Sequence, residues 1–477
     1  MGAGGCSFDT ATVATPNDGG SLIDGGSLID GDVDAAVPLP PGFSSSFEEW
    51  AVPDSGFPEG FADTQIAIGS VRNWSLFDID NDGQVELVQT SDPTTNRGYS
   101  DDLGPFWKVY GTTGIGFETS PSLFRLPAED PPGLNYFRTS APGWDFVDLD
   151  NDGFKDLVRH TDPATDDLWD DSGDSFWLTH PGNGSSVAVG VLWRVPEFSL
   201  GEPKDSNHCT AVRGCWRLLD LDDDGLLDLI NTSDAISPLA AWDAETMPHW
   251  RGYSNSGSAF DTGAVDWALP SPSNAGGYFT TEELSYWETL DIDGNGDVEL
   301  VQTRDYRNIE GPYFDEGPPN WRVFETDASS FVTTARSWEL PLGATPFESL
   351  NSAEDSLYWN TVDIDGDGLL DLVHTANSAA SPAAAWGSPN SDQWKVYKGT
   401  DDGFSQTVTP WPLPDSGLED GFYTLRAAET NRHWATIDID GDGQVELVQT
   451  ADPTTDEVWR DAKGNNPHWR VYRRATN

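Results

Sequence analysis

Short apolar runs separated by turn-forming residues recur along the chain beyond residue 41. Segments such as Glu86-Leu-Val-Gln89 and Trp394-Lys-Val-Tyr397 are rich in β-branched, aromatic and other apolar residues, and Gly, Asp, Asn or Pro lies close on either side. Runs this short and so often interrupted are typical of β-strands rather than of helices. The pattern predicts an all-β protein with about four strands in each repeated unit.

A nine-residue acidic segment occurs six times, at a spacing of about 72 residues. We call it the acidic loop and number its positions 1 to 9. Acidic loops 1 to 6 are Asp78–Glu86, Asp148–Asp156, Asp220–Asp228, Asp291–Glu299, Asp363–Asp371 and Asp438–Glu446. All 21 tryptophans also fall at positions that recur between the units. The chain therefore contains six internal repeats.

Six four-stranded units arranged around an axis form a β-propeller, which leaves only short, protected sheet edges. The sixth unit contains the third-strand segment Trp469-Arg-Val-Tyr472, but no fourth-strand segment follows it. A matching segment occurs at Gly42–Pro53, with the Trp-to-Pro spacing of Trp411 and Pro414. We therefore predict a six-bladed β-propeller of four-stranded antiparallel blades, in which the N-terminal strand closes the last blade.

Composition and charge divide the chain and narrow its partners. Residues 1–41 are mostly Gly, Asp, Ala, Ser and Pro, which predicts a flexible acidic tether before a propeller domain at 42–477. The 81 acidic residues exceed the 25 basic ones and give a net charge of -56. Such a charge repels phosphate backbones, so we expect no nucleic-acid partner. No run approaches the roughly 20 apolar residues of a transmembrane helix.

The acidic loops have the composition of a cation site. Asp78, Asp80 and Asp82 place three carboxylates at alternate positions of one turn, and Gly83 follows them. Their repulsion is costly unless a hard cation neutralises it, and calcium accepts six to eight oxygen ligands in irregular geometry. The alternative interpretation is a set of solvated acidic turns.

The loops are not EF-hands, because an EF-hand needs a Glu at position 12 and helices on both sides, whereas these loops have strand-like flanks. The residues at position 12 are Gln89, Arg159, Asn231, Gln302, His374 and Gln449.

Over about residues 42–477 the chain resembles the FG-GAP/VCBS repeat family, the propeller repeats of integrin α-subunits and many bacterial surface proteins. The resemblance rests on the motif Asp-x-Asp-x-Asp-Gly-x-x-Asp/Glu between two strands and on the pairs Gly116-Phe117 and Gly403-Phe404. It implies a hairpin between the first two strands of each blade that holds one structural calcium ion, about six ions in all. Six blades differ from the seven of integrins, so integrin partner rules do not transfer.

The resemblance also implies ligands at positions 1, 3, 5 and 9 of each loop. In loops 1 to 3 these are Asp78, Asp80, Asp82, Glu86; Asp148, Asp150, Asp152, Asp156; and Asp220, Asp222, Asp224, Asp228. In loops 4 to 6 they are Asp291, Asp293, Asn295, Glu299; Asp363, Asp365, Asp367, Asp371; and Asp438, Asp440, Asp442, Glu446. Asn295 removes one charge from loop 4, which the motif tolerates.

An aromatic residue occupies the long second turn of each unit, on the face expected opposite the acidic loops. The six are Tyr99, Trp169, Trp242, Tyr313, Trp386 and Trp459. A ring of aromatics among polar residues resembles the stacking platforms that bind sugars, so we predict ligand contact there. The alternative is that each aromatic fastens its own turn to the blade.

The three cysteines give an indication of location. Cys209 and Cys215 are close enough in sequence to form a disulfide. Cys6, after Ala3-Gly-Gly, looks like the end of a bacterial lipoprotein signal and is a candidate lipid anchor; an incidental free cysteine is the alternative. Loops of this kind also suit extracellular calcium concentrations. We therefore expect an extracellular or cell-surface protein, such as an outer-membrane lipoprotein of a bacterium.

Three functional hypotheses follow. The first is a calcium-stabilised surface propeller for binding or adhesion that recognises glycans or protein partners. The second is a polysaccharide-cleaving, lyase-like enzyme that uses the irregular blade 2. The residues that break the repeat in this blade are Lys155, Arg159, His160, Leu178 and His180. The third is a structural subunit of a surface layer or filament. The chain contains no recognisable Ser-His-Asp spacing, zinc motif or phosphate loop, which favours a binding protein over an enzyme.

Overall fold

The computed structural model describes part of the chain. The described residues are 41–56, 60–62, 74–92, 95, 97–127, 144–160, 162, 168–171, 173–196, 216–232, 248–270, 287–303, 318–327, 330–342, 358–377, 384–387, 391–423, 433–461 and 463–475. Every regular element among them is a β-strand. Six small sheets, each built on four antiparallel strands, form the blades of a propeller, as predicted.

We number the blades by their acidic loops. Blades 1 to 3 consist of Trp74–Phe77, Glu86–Gln89, Gly104–Tyr110, Ser122–Arg125; Trp144–Val147, Asp156–Arg159, Asp174–His180, Val191–Val195; and Trp216–Leu219, Asp228–Asn231, His249–Tyr253, Val265–Ala268. Blades 4 to 6 consist of Trp287–Leu290, Glu299–Gln302, Asn320–Phe324, Arg336–Glu339; Trp359–Val362, Asp371–His374, Gln393–Tyr397, Thr409–Pro412; and Trp434–Ile437, Glu446–Gln449, His468–Tyr472, Glu48–Ala51. Additional strands in the described turns are Ser91–Asp92, Arg97–Asp101, Trp169–Asp171, Thr326–Asp327, Ser330–Phe331, Ala376–Asn377, Ala384–Ala385, Gly399–Thr400 and Gly403–Phe404.

The core lies between the blades, because successive side chains of a strand point to opposite faces of its sheet. The second strand of blade 6, Glu446–Gln449, is buried throughout. The third strand of blade 5 buries Trp394 and Val396 and leaves Lys395 partly exposed. One apolar cluster joins Trp394 to Trp434 of the next blade. Each such cluster therefore fastens two neighbouring blades together.

The N-terminal segment completes blade 6, as predicted. Residues Glu48–Ala51 pair antiparallel with His468–Tyr472, and Trp50 lies opposite Trp469. Just before this strand, the Phe43 N–H donates to the Pro412 carbonyl at 2.9 Å. Gly42-Phe43 therefore occupies, for blade 6, the third-turn place that Gly403-Phe404 holds in blade 5.

A phenylalanine in the third turn wedges against two aromatic rings of the preceding blade. Phe117 of blade 1 contacts Trp50 and Trp469 of blade 6 edge-on, at centroid distances of 5.9 and 5.5 Å. The equivalent phenylalanines are Phe43, Phe260, Phe331 and Phe404. In blade 2 the buried Val187 takes this place. These edge-to-face contacts join the third turn of one blade to the aromatic core of the preceding blade.

The segment between blades 6 and 1 and the segment between blades 5 and 6 have similar sequences and make the same two hydrogen bonds. Between blades 6 and 1, the Ser55 carbonyl accepts from Gln89 Nε2 at 3.0 Å and the Phe61 carbonyl accepts from Trp469 Nε1 at 2.7 Å. The connection is thereby tied to the blade before it and to the blade after it. The counterparts between blades 5 and 6 are Ser416, Gln449, Phe422 and Trp394.

Candidate metal centres

The position 1 carboxylate closes each acidic loop. In loop 1 the Asp82 N–H donates to Asp78 Oδ1 at 3.2 Å, and the Gly83 N–H donates to Asp78 Oδ2 at 3.0 Å. The glycine at position 6 has a φ of 85°, a left-handed conformation that glycine adopts without steric cost. The glycine N–H makes the same contact, at 2.8 to 3.0 Å, in the other five loops. Hydrogen bonds within the acidic loop thus stabilise its conformation.

The position 9 carboxylate lies in the blade interior beneath its loop. Glu86 is buried and accepts a hydrogen bond from the Ile79 N–H at 2.9 Å. In blade 2, where position 9 is Asp156, its second oxygen accepts from the Gly182 N–H at 2.9 Å and so ties the loop to the third turn.

Burial raises the pKa of these position 9 carboxyls. Desolvation, with the nearby carboxylates adding to it, raises the pKa of Glu86 to about 8. Burial likewise raises the pKa to about 7 or about 8 at Asp156, Asp228, Glu299, Asp371 and Glu446. The protein groups and water around each position 9 carboxyl therefore solvate its negative charge poorly.

The predicted ligands converge. Three carboxylate oxygens lie within 4.8 Å of one another at positions 1, 3 and 5 of loops 1 and 3, and at positions 1, 3 and 9 of loops 2, 4 and 5. The groups are Asp78, Asp80, Asp82; Asp148, Asp150, Asp156; Asp220, Asp222, Asp224; Asp291, Asp293, Glu299; and Asp363, Asp365, Asp371. Asn295 of loop 4 makes the same turn contact as the position 5 carboxylates of the other loops, because its Oδ1 accepts the Asp297 N–H at 2.6 Å.

Several of the loop oxygens are buried without a hydrogen-bond partner. They are Asp148 Oδ1, Asp293 Oδ1, Glu299 Oε1, Asp365 Oδ1, Asp371 Oδ2 and Asp440 Oδ1. Burying a charged oxygen in this way is costly, and a bound cation offsets the cost by accepting a lone pair. An all-oxygen donor set suits a hard cation and suits soft metals poorly. The residues present therefore fit a calcium ion.

Neighbouring acidic loops touch through positions 4 and 6. Position 4 has a φ between 55° and 72° in all six loops, at Asn81, Asn151, Asp223, Gly294, Gly366 and Gly441. A Cβ on Gly441 would lie 2.2 Å from the Gly83 carbonyl oxygen of loop 1. Between loops 1 and 2, Asn81 Nδ2 lies 2.7 Å from the place of a Cβ on Gly153. Positions 4 and 6 also lie in contact between loops 2 and 3, loops 4 and 5, and loops 5 and 6. Between loops 3 and 4, burial, with the charge of Asp223 adding to it, raises the pKa of Asp297 at position 7. Neighbouring acidic loops therefore lie close to one another around the propeller.

The described second-turn aromatics pack on their own blades. Tyr99 pairs in register with Phe106 of the third strand, and the two rings stack at 5.6 Å. Trp169 pairs with Phe176 at the corresponding place in blade 2. All four described aromatics are half-buried. They pack on the blade while part of each side chain stays exposed, and ligand contact there stays a prediction.

A basic side chain of the third strand covers the ring in three blades. The pairs, with the distance from the cation to the ring centroid, are Lys108 on Tyr99 at 4.0 Å, Lys395 on Trp386 at 3.2 Å and Arg470 on Trp459 at 3.3 Å. Cations over aromatic faces attract the ring and restrict its orientation. The cation therefore restrains the ring in these three blades.

Blade 2 compensates for its irregular residues. Arg159 on the second strand faces Leu178 on the third, whereas Gln89 faces Lys108 in blade 1. The basic residue has thus moved to the other strand of the pair, and Arg159 is buried there. The unusual residues Arg159 and Leu178 therefore reflect a different side-chain packing between the second and third strands of blade 2.

The two histidines of blade 2 also have partners. His180 is buried, and its Nδ1 lies 3.2 Å from the Ala188 carbonyl oxygen. His160 Nε2 lies 2.9 Å from Asp145 Oδ2, beside the Trp177 ring. With Arg159 and His180 buried, only His160 of these three remains as a candidate for the hypothetical enzyme.

Several predicted residues lie outside the described part of the chain. They are Cys6, Cys209, Cys215, Trp242, Tyr313 and the tether up to residue 40. The disulfide, the lipid anchor and the location of the protein therefore stay predictions. None of the described residues forms a helix long and apolar enough to cross a bilayer.

No family model matches the chain, and no curated protein matches it. Among solved structures, the Tc holotoxin pore of Photorhabdus luminescens aligns with a TM-score of 0.47 at 14% identity, over 92% of this chain and 15% of that one. A lectin of Agrocybe aegerita, described as recognising non-reducing terminal N-acetylglucosamine, aligns with a TM-score of 0.42 at 13% identity, over 90% of each chain. The chain thus spans a small part of the toxin chain. Neither similarity bears on its activity or ligand.

Proposed function

We propose that the protein is a calcium-stabilised propeller of the cell surface or extracellular space that binds a glycan or protein partner. The acidic loops hold structural ions, and the partner binds the face opposite them. The observation that carries the proposal is the convergence of carboxylates, some with buried unpartnered oxygens, within single turns. Because the ligands come from one turn, a bound ion stabilises that hairpin and contributes to folding.

The chain's own residues prepare the sites. Backbone N–H groups of the loop hold both oxygens of Asp78, and the Ile79 N–H holds one oxygen of Glu86. These bonds orient the carboxylates before an ion arrives, which lowers the entropy lost on binding. Calcium supplies the positive charge that the crowded carboxylates lack. It would be held by positions 1, 3, 5 and 9 and would act structurally.

The opposite face offers rigid aromatic rings to a partner. Lys395 and Arg470 restrain Trp386 and Trp459, so a ligand that contacts the exposed part of these side chains immobilises little that was mobile. The net charge of -56 disfavours anionic ligands, and a neutral glycan avoids this penalty.

A glycan-array measurement in excess calcium tests the binding face. Single variants Trp169→Ala, Trp386→Ala and Trp459→Ala are expected to lose binding that the unmodified chain shows. Ile115→Ala is the control, because Ile115 is 75% exposed in a third turn, on the acidic-loop side. Binding that survives all three tryptophan variants, or that fails equally in Ile115→Ala, would refute the assignment of this face.

The contact between His160 and Asp145 gives the lyase hypothesis its one supporting observation. A histidine close to a carboxylate is a common general base. Turnover of an acidic polysaccharide that disappears in His160→Ala would favour this second function over a pure binding role.

A further inference from the structure

Basic side chains reach the acidic loops of blades 4 to 6. Arg336 Nη2 lies 2.5 Å from Asp293 Oδ2 at position 3 of loop 4. Lys398 contacts Asp365 at position 3 of loop 5. Arg473 contacts Asp440 at position 3 of loop 6, and its Nη1 lies 3.7 Å from Glu446 Oε1. In three consecutive blades the same carboxylate is thus paired with a cation of its own blade.

The loops of blades 1 to 3 differ. Within the described ranges, no Lys or Arg forms an ion pair with the carboxylates of these three loops. The residue that follows the third strand is Gly111, Pro181 or Ser254 in these blades, where blades 5 and 6 have Lys398 and Arg473. Only 25 residues of the chain are basic, and three of them contact three successive acidic loops.

The arginine contacts arise in two ways that lead to the same arrangement. In blade 6, Arg473 follows the third strand and its Nε lies 2.9 Å from Glu48 Oε2 on the fourth strand. In blade 4 the two residue types are exchanged: Glu325 follows the third strand, and Arg336 on the fourth strand contacts it at 3.2 Å. Both arginines therefore bridge the position 3 Asp and a glutamate outside the loop. Blades 1 to 3 have Ser122, Val191 and Val265 at the fourth-strand position.

In blades 4 to 6 a basic side chain competes with a bound cation for the position 3 carboxylate, and in two of these blades a nearby glutamate can pair with the displaced side chain. A cation bound at position 3 must displace the guanidinium or ammonium group from the carboxylate, which costs the energy of a partly buried ion pair. Glu325 and Glu48 remain as partners of the displaced arginines, so displacement does not strand a charge. Among the residues that the structure describes, none competes in this way for the carboxylates of loops 1 to 3.

We propose that the six sites form two classes, three tight calcium sites in blades 1 to 3 and three weaker ones in blades 4 to 6. In the weaker class Arg336, Lys398 and Arg473 neutralise the loop until calcium displaces them. At low calcium, half of the ring is then held by ions and half by the chain's own cations. This inference rests on the proposed calcium function and concerns the regulation of the same sites.

Isothermal titration calorimetry of the full chain with calcium, checked by equilibrium dialysis, tests the two classes. Binding is expected in two phases of three ions, with affinities about tenfold apart, the ratio expected for the loss of one ion pair. The triple variant Arg336→Ser, Lys398→Ser, Arg473→Ser is expected to merge the phases, since Ser122 and Ser254 stand at these positions in blades 1 and 3. Arg194→Ser, which removes only the distant pair with Asp174, is the control.

A second set of variants works in the opposite direction and conserves the loop contacts. Glu48→Gln and Glu325→Gln remove the outer partners of the arginines, so the weaker phase is expected to weaken further. A single class of six equal sites in the unmodified chain, or a weaker phase that neither set moves, would overturn the inference and leave the calcium proposal standing. The absence of any calcium binding would overturn both.

Discussion

Phe43 lies edge-on against Trp394, with ring centroids 5.7 Å apart and ring planes at 89°. It contacts Trp411 in the same way at 5.9 Å. An N-terminal side chain thus fills the aromatic clamp of blade 5, the role that Phe117 plays for blade 6. Closure of the propeller therefore rests on an inserted side chain as well as on strand pairing.

Phe43→Ala is expected to lower the free energy of unfolding by about 3 kcal/mol, because it leaves a cavity in a buried cluster. Phe47→Ala is the matched control in the same segment. Phe47 is 38% exposed, so its loss is expected to cost under about 1 kcal/mol. Denaturant unfolding measures both, and equal losses would argue against a special role for Phe43.

The contact between Gly441 and Gly83 forms the seam between acidic loops 6 and 1. Gly441→Ala is expected to destabilise the protein by more than about 2 kcal/mol, since its Cβ meets a backbone oxygen. Gly443→Ala has a similar positive φ but no atom within 4 Å of the new Cβ, so it reports the conformational cost alone, about 1 kcal/mol. Thermal unfolding in EDTA compares the two without a contribution from calcium. A loss in Gly441→Ala no larger than in Gly443→Ala would mean that the loops do not touch there.

His374 gives a prediction of pH dependence. Burial, with Lys395 adding to it, lowers the pKa of His374 to about 3, and its ring stacks on Trp359 at 3.5 Å. Between about pH 6.5 and pH 3 the unfolded chain binds a proton at this residue that the folded chain does not. The contribution of His374 to stability is therefore present above pH 6.5 and is lost as the pH falls.

The variant His374→Gln tests this contribution, because Gln89 and Gln449 occupy the same place in blades 1 and 6. Denaturant unfolding at pH 7 and at pH 5 is expected to show a smaller acid-induced loss in the variant, by about 2 kcal/mol. An identical loss in both proteins would show that His374 titrates normally in the fold.

The repeat, the blade number and the closing strand could be predicted because each leaves a mark in the sequence. Trp50, Trp411 and their counterparts stand at fixed distances from prolines, and six acidic loops repeat one spacing. The convergence of Asp78, Asp80 and Asp82 was also predictable, since neighbours within one turn need no tertiary information.

Contacts that depend on the alignment of strands, within a blade or between blades, were not predictable in this way. Gly42-Phe43 is visible as a pair, but its third-turn role depends on its meeting Pro412 across the closed ring. The exchange between Arg473 with Glu48 and Arg336 with Glu325 can be recognised only when the third and fourth strands are aligned. The cations over Trp386 and Trp459 likewise depend on strand register. A basic residue follows five of the six third-strand tryptophans, but this pattern alone does not show which ring the cation covers.

Differential scanning calorimetry in excess calcium and in excess EDTA tests the central claim most directly. If the acidic loops hold structural calcium, chelation is expected to lower the melting temperature by about 10 °C or more, because several ions that bind only the folded chain are removed together. Restoring calcium is expected to restore the melting temperature. Superimposable melting curves in calcium and in EDTA would contradict the account.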